Sequence, residues 1–167
     1  MISSFLSKLL TTRQASFTEK GIEIFELNFS MQPLIALVEF QKEVSPEKME
    51  KLGYLMSDSI IKHFKERFAI EEDKISNLWT GIFNVSGFGK LQIVSMSEKE
   101  ATFELKDNNF AKLYQSKYGK QKEPVCHIIC GILRNLFERT TGKKTKCKET
   151  TCIAESKSTC SFEIKVT

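Results

Sequence analysis

Cys126, Glu149, Cys152 and Cys160 are four side chains whose types and spacing can do chemistry: three soft thiolates and one carboxylate, three of them within a dozen residues of one another. Zn²⁺ accepts sulfur and oxygen donors and imposes no electronic geometry of its own, so such a set can close a tetrahedral site. The residues alone leave three readings open. The cysteines are buried structural thiols beside a surface Glu, or Cys152 and Cys160 form a disulfide, or the four bind zinc.

The elements that must position these groups follow from hydrophobic periodicity. Pro124 begins an apolar segment containing Cys126, Ile128, Ile129, Cys130, Ile132, Leu133, Leu136 and Phe137, closed by Gly142, which predicts a helix with Cys126 in its first turn. Unsatisfied N–H groups there favour an anionic sulfur. The C-terminus reads as a hairpin, Lys144 to Ile153 and Ser161 to Val166. Cys160 shares strand parity with Phe162 and Ile164 and should point into the core. Glu149 and Cys152 stand three positions apart, so a bulge near Thr150 or Thr151 must turn one of them if both are ligands.

Upstream, Met1 to Arg13 has a short amphipathic pattern with Ile2, Phe5, Leu9 and Leu10. Gly21 to Phe29 reads as an irregular strand, paired in a hairpin with the apolar run Leu34 to Phe40. Ser45-Pro46-Glu47 carries helix-start signals, and Leu52, Met56, Ile60, Phe64 and Phe68 recur as the apolar face of a helix reaching about Phe68. A second helix starts at Glu71-Glu72-Asp73, carries Ile75, Leu78, Trp79, Ile82 and Phe83, and stops at Gly87 and Gly89. Leu91 to Met96 and Ala101 to Leu105 form a hairpin, and Asn108 or Asn109 caps a brief helix through Tyr114. Strands and helices come in groups and do not strictly alternate, which predicts an α+β fold with antiparallel sheet, as one domain over residues 1–167.

Composition narrows the function classes. Apolar residues make up 41% and charged residues 28%, ordinary for a globular chain. The net charge of +4 is spread among interleaved Lys and Glu, with no basic stripe for nucleic acid. No apolar run is long enough to span a membrane and no signal peptide is visible, so a cytoplasmic setting is expected, where reduced cysteines favour metal over disulfide. The two histidines, His63 and His127, sit in no nucleophile spacing, and the lone Gly87-Phe-Gly89 is no phosphate loop. Trp79, Phe83, Phe88, Phe103 and Phe110, with Ile129 and Leu133, either fill a core or line a cavity for a small hydrophobic molecule.

The segments Pro124-Val-Cys-His-Ile-Ile-Cys-Gly-Ile-Leu, Glu149-Thr-Thr-Cys152 and Cys160-Ser-Phe-Glu-Ile resemble the 4-vinyl reductase domain, most clearly over residues 87–167. That resemblance implies a fold shared with subunits of the TRAPP vesicle-tethering complex and with haem-NO-binding sensor domains, usually as a homodimer. It also implies a zinc site made of Cys126, Glu149, Cys152 and Cys160. Relatives that sense phenols hold the ligand hydroxyl with a His and a Trp of the middle segment. Here no His lies between His63 and His127, so phenol specificity does not carry over. The expected function is a stand-alone sensor or binding module for a small hydrophobic ligand, which signals through an unidentified protein partner. The alternatives are an accessory protein or enzyme of tetrapyrrole 4-vinyl reduction and a TRAPP-like assembly subunit.

Overall fold

The computed structural model describes residues 4–70 and 72–167, with the side chains of 72 and 73 left out. Ile2 and Glu71, which figure in the expected N-terminal and second helices, lie outside the described residues. Contacts divide the chain into two units, Met1–Pro33 and Leu34–Thr167.

The first unit contains helix α1 (Ser4–Thr11) and a three-stranded antiparallel sheet of β1 (Ala15–Thr18), β2 (Gly21–Ile24) and β3 (Leu27–Phe29) in that order. The irregularity expected within residues 21–29 is a chain reversal. Phe25 and Glu26 both take positive φ, 51° and 62°, the twist that suits a two-residue hairpin turn. Asn-Gly usually announces such a turn, and Phe-Glu conceals it.

The second unit opens with a correction. Leu34–Glu43 is a helix, α2, and not a strand. Val38 and Gln41 are its buried residues and Leu34 is half-buried, an i, i+4, i+7 pattern that a short apolar run conceals, because periodicity over so few residues fits either element. The partners of β2 are instead β1 and β3.

Helix α3 (Pro46–Phe68) ends near the expected residue, but its buried face is Met49, Gly53, Ser57, Ile61 and Phe64. Of the five residues expected there, only Phe64 belongs to that face; Met56 and Phe68 are exposed. The cause is backbone approach. A Cβ on Gly53 would lie 1.9 Å from the Ile128 carbonyl oxygen, and one on Gly131 would lie 1.8 Å from that of Glu50. Helix α3 is therefore rotated to set its small residues against α6 (His127–Thr141). Ion pairs of Arg134 with Glu50 and of Arg139 with Asp58 flank this contact, and the Tyr54 hydroxyl donates to Glu138 at 2.9 Å.

Helix α4 (Glu72–Val85) leads through Gly87 into the hairpin β4 (Lys90–Met96) and β5 (Glu100–Lys106), and α5 (Asn109–Tyr118) follows. Strands β6 (Thr145–Thr151) and β7 (Cys160–Val166) complete a four-stranded antiparallel sheet in the order β4-β5-β7-β6. Its inner face carries Ala101, Phe103 and Leu105 of β5 and Cys160, Phe162 and Ile164 of β7, with Phe103 opposite Phe162 and Leu105 opposite Cys160. Helix α6 is covered on nearly every side, with nine of its residues buried, as expected for a helix lying between α3 and the sheet. The mixed helix and antiparallel sheet fold is the one expected.

Candidate metal centre

Three irregular points of backbone bring the four ligand candidates together. Cys126 is the N-cap of α6 and does not lie in its first turn: φ and ψ of −87° and 47° are non-helical, and the helix begins at His127. The structure corrects the expectation that Pro124 opens the helix. Gln41 of α2 donates to the Val125 carbonyl at 2.8 Å, which holds the residues just before Cys126 off the helical path. The Cys126 carbonyl then accepts from the N–H groups of Ile129 and Cys130, both at 3.0 Å.

The second point is the expected bulge. Glu149 pairs with Phe162 but Thr151 with Ser161, so Thr150 is the extra residue. It places Glu149 inward and lets Cys152 follow at the end of β6, where its carbonyl accepts from Glu155 N–H at 3.1 Å and caps the 3₁₀ turn Ile153–Glu155. The third is the start of β7, where Cys160 enters the sheet facing inward. The loop between the two cysteines is held from outside, by Gln121 N–H to the Ala154 carbonyl at 2.8 Å and by the Gln115 side chain to Ser156 at 3.1 Å.

The outcome is a compact cluster. Cys126, Cys152 and Cys160 are fully buried, Glu149 is buried, and one ligand atom from each lies within 4.8 Å of the others. The sulfur separations are 3.8 Å (Cys126 to Cys152), 3.9 Å (Cys126 to Cys160) and 3.8 Å (Cys152 to Cys160). A tetrahedron with a centre about 2.3 Å from each corner, the zinc–thiolate length, has edges of about 3.8 Å. The sulfurs are therefore spaced as ligands of one tetrahedral ion, too far apart for a disulfide, and all are free thiols.

Hydrogen bonds prepare the cluster for negative charge. Asn108 Nδ2 donates to Cys126 Sγ at 3.1 Å and to Cys160 Sγ at 3.2 Å, and Ile153 N–H donates to Cys160 Sγ at 3.3 Å. Hydrogen bonds with the Cys126 and Cys152 side chains bring the Cys160 thiol down to about 5. Burial instead pushes the Cys126 thiol up. Burial, with the Cys152 sulfur beside it, raises the Glu149 carboxyl to about 8. The Cys126 N–H fixes Glu149 Oε2 at 2.8 Å, while Oε1 is buried without a hydrogen-bond partner. A buried carboxylate oxygen left without a donor suits a cation. This Cys₃Glu group can hold a metal ion.

Asn108 is the residue the sequence did not reveal as part of the site. Its helix-capping role was legible, and its Oδ1 does accept from Ala111 N–H at 3.2 Å; its amide lies 18 and 52 positions from the sulfurs it serves. His127 stays outside the cluster. Cys130 is core, and Cys147 lies against it, with its thiol raised by that contact and by burial.

The seven aromatic and aliphatic residues singled out above are all buried in one core cluster, and Trp79, Phe83 and Phe88 stack in series at 5.2 and 5.6 Å. Trp79 Nε1 is buried with no acceptor. Two open surface concavities, about 440 and 500 Å³, include none of the seven.

The family model of the 4-vinyl reductase domain matches residues 103–166, so the resemblance read from the C-terminal motifs holds over that segment, which contains all four cluster residues. No curated protein sequence matches the chain. Among solved structures, the phenol-responsive sensory domain of the transcription activator PoxR, solved with phenol, is 14% identical with a TM-score of 0.79, covering 99% of this chain and 92% of that one. A vinyl-4-reductase family protein from Methanocaldococcus jannaschii is 21% identical, with a TM-score of 0.58 and 83% and 84% covered. A trafficking protein particle complex subunit 3 from Naegleria fowleri, covalently bound to palmitic acid, is 16% identical, with a TM-score of 0.55 and 80% and 90% covered. The fold is shared with all three. No helix among the described residues is long and apolar enough to cross a membrane.

Proposed function

We propose that the chain is a small-molecule-binding module, sensory or regulatory, of the 4-vinyl reductase type. In this reading zinc is held by Cys126, Glu149, Cys152 and Cys160, and an apolar ligand binds among Trp79, Phe83, Phe88, Phe103, Phe110, Ile129 and Leu133. The module acts in the cytoplasm as a homodimer and passes its state to a protein partner.

The observation that carries the ligand half is the orphaned Trp79 Nε1. A buried indole N–H without an acceptor costs about 1–3 kcal/mol, and here it stands at the end of a stack of aromatic rings. A ligand with an apolar body and one oxygen acceptor relieves that cost while its body parts the rings. PoxR, with the same fold, was solved with a molecule of that kind. Zinc is supported by the tetrahedral sulfur spacing and the unpartnered carboxylate oxygen. Four protein ligands leave no open position for water, so its chemistry there is to neutralise clustered thiolates and tie the start of α6 to the last hairpin.

Trp79 is the only tryptophan in the chain, so its fluorescence reports the site directly. Titration with phenol and with palmitate, as two probes of different length, should give a saturable change for at least one. Calorimetry of the responding probe should then show about tenfold weaker binding for Trp79→Phe, the loss of one hydrogen bond. No saturable response to either probe, together with native mass spectra free of extra mass, overturns the ligand reading. The same spectra should show one zinc per chain in protein purified without chelator, lost in Cys152→Ser and kept in Cys147→Ser. Metal retained by the Cys152 variant refutes the assigned ligands.

A further inference from the structure

Strand β6 lies at an edge of the four-stranded sheet, with β7 on one side and no strand on the other. The register settles which of its backbone groups are spare. Thr167 N–H donates to the Lys144 carbonyl, and Val166 N–H to that of Lys99. Alternate residues of an antiparallel pair bond to the partner, so 144, 146 and 148 bond to β7, and the N–H and C=O groups of Thr145 and Cys147 point to the open edge. Thr145 N–H is met there by Glu138 Oε1 at 2.9 Å; Cys147 keeps both of its groups for an incoming strand. At this end the edge borders the concavity of about 440 Å³, whose lining includes Lys51 and Tyr54 of α3, Arg134 and Glu138 of α6, and Thr145 and Lys146. The acids here are engaged, Glu50 with Arg134 and Glu138 with the Tyr54 hydroxyl and Thr145. Lys51, Lys144 and Lys146 are exposed and have no acidic partner among the described residues. Lys146 also stands opposite Lys165 across the ladder, and like charges directly opposite are unfavourable.

We propose that the open edge of β6 is a docking site for an extended acidic segment of another protein, which adds as a further antiparallel strand with an acid at every second residue. This rests on the protein partner of the preceding reading and gives it a recognition chemistry. Every strand pair in the sheet is antiparallel, and main-chain bonds to a sheet edge supply affinity while alternate side chains supply specificity. Cross-strand neighbours share a face. One set of the segment's residues therefore lies beside Lys144 and Lys146 on the outer face, where acids offset the opposition of Lys146 and Lys165. The other set lies opposite Thr145 and Cys147 and turns to the concavity, where the Tyr54 ring and the stem of Lys51 suit apolar side chains. A second copy's β6 would bring the same lysines face to face, so the edge does not select itself.

Calorimetric titration of the full chain with a capped peptide of alternating glutamate and valine tests the edge. Binding should be saturable, weaken as salt is raised, and protect the Cys147 amide from hydrogen exchange. The valines lie opposite Cys147, so N-methylation of the valines should weaken binding about tenfold relative to N-methylation of the glutamates, whose N–H groups point away. Lys146→Glu, a change at an exposed side chain, should bind the peptide about fivefold more weakly and should bind its lysine–valine counterpart better than wild type does. No saturable binding leaves the lysines as guards of the edge and overturns the proposal. Equal binding of the two N-methylated peptides, with the Cys147 amide unprotected, means attraction by charge alone and overturns strand addition. Neither zinc nor an apolar ligand enters these readouts, so failure here leaves the metal and ligand readings standing, and their failure leaves this test intact.

Discussion

Asn108 does two jobs with one side chain, and each depends on the other. Its Oδ1 caps α5 through Ala111 N–H, which fixes the amide plane so that Nδ2 meets two sulfurs. Residues that orient ligands in this way typically contribute 10–100-fold to metal affinity. Asn108→Asp keeps a capping oxygen but replaces the donor with a negative charge facing two thiolates. Its metal affinity should fall by about 100-fold in a chelator competition, more than that of Asn108→Ala. The protons on the site set its pH dependence. In the metal-free protein the Glu149 carboxyl sits at about 8 and the Cys126 thiol is raised, so both hold protons at neutral pH, whereas Cys160, at about 5, has already lost its own. An ion must displace the held protons. Apparent affinity should therefore rise with pH through about 8, and calorimetry in buffers of different ionisation enthalpy should register proton release at pH 7. Affinity independent of pH from 6 to 8 would contradict these assignments.

At the scale of elements, the decisive contact is that of α3 with α6. Gly53 and Gly131 bring the helix backbones so close that either one as Ala would drive a methyl into a carbonyl oxygen. A backbone neighbour cannot move aside as a flexible side chain can, so Gly53→Ala and Gly131→Ala should each lower stability by about 3 kcal/mol, the upper end for overpacked cores. The added methyl at Gly87 meets nothing within 4 Å, and the only strain there comes from its φ of 95°; Gly87→Ala should be milder in urea denaturation. Equal losses at all three positions would mean that the close approach is not what fixes the rotation of α3. Helix α6, locked in this way on one side, presents its N-cap to the last hairpin on the other, so the geometry of Cys126 depends on Gly53, far from the cluster in sequence, as well as on Gly131 in its own helix.

At the scale of the molecule, the cluster joins the N-cap of α6, the end of β6 and the start of β7. Chelation of a metal-loaded chain should lower Tm by several degrees and raise amide exchange first at residues 145–166, since the hairpin loses its tie to α6. Uniform exchange with unchanged Tm would show that packing alone holds these elements. Much of this was legible from the sequence, because local periodicity, Gly stops and cap residues act over a few positions: α4 and the β4–β5 hairpin stand where the patterns put them, α5 starts at its expected cap but runs one turn past Tyr114 to Tyr118, β6 stops at Thr151, two residues short of the expected Ile153, and the need for a bulge between Glu149 and Cys152 followed from strand parity alone. Three things waited for the tertiary structure. The run at Leu34 chose helix because Val38 and Gln41 found partners across the core. The face that α3 buries was set by backbone approach at two glycines, although the heavier apolar stripe lay elsewhere. The side-chain donor to the Cys126 and Cys160 sulfurs was Asn108, brought from 18 and 52 residues away. Local sequence determines which elements form and which side chains can bind metal; which faces meet is decided only when distant backbones compete for the same space.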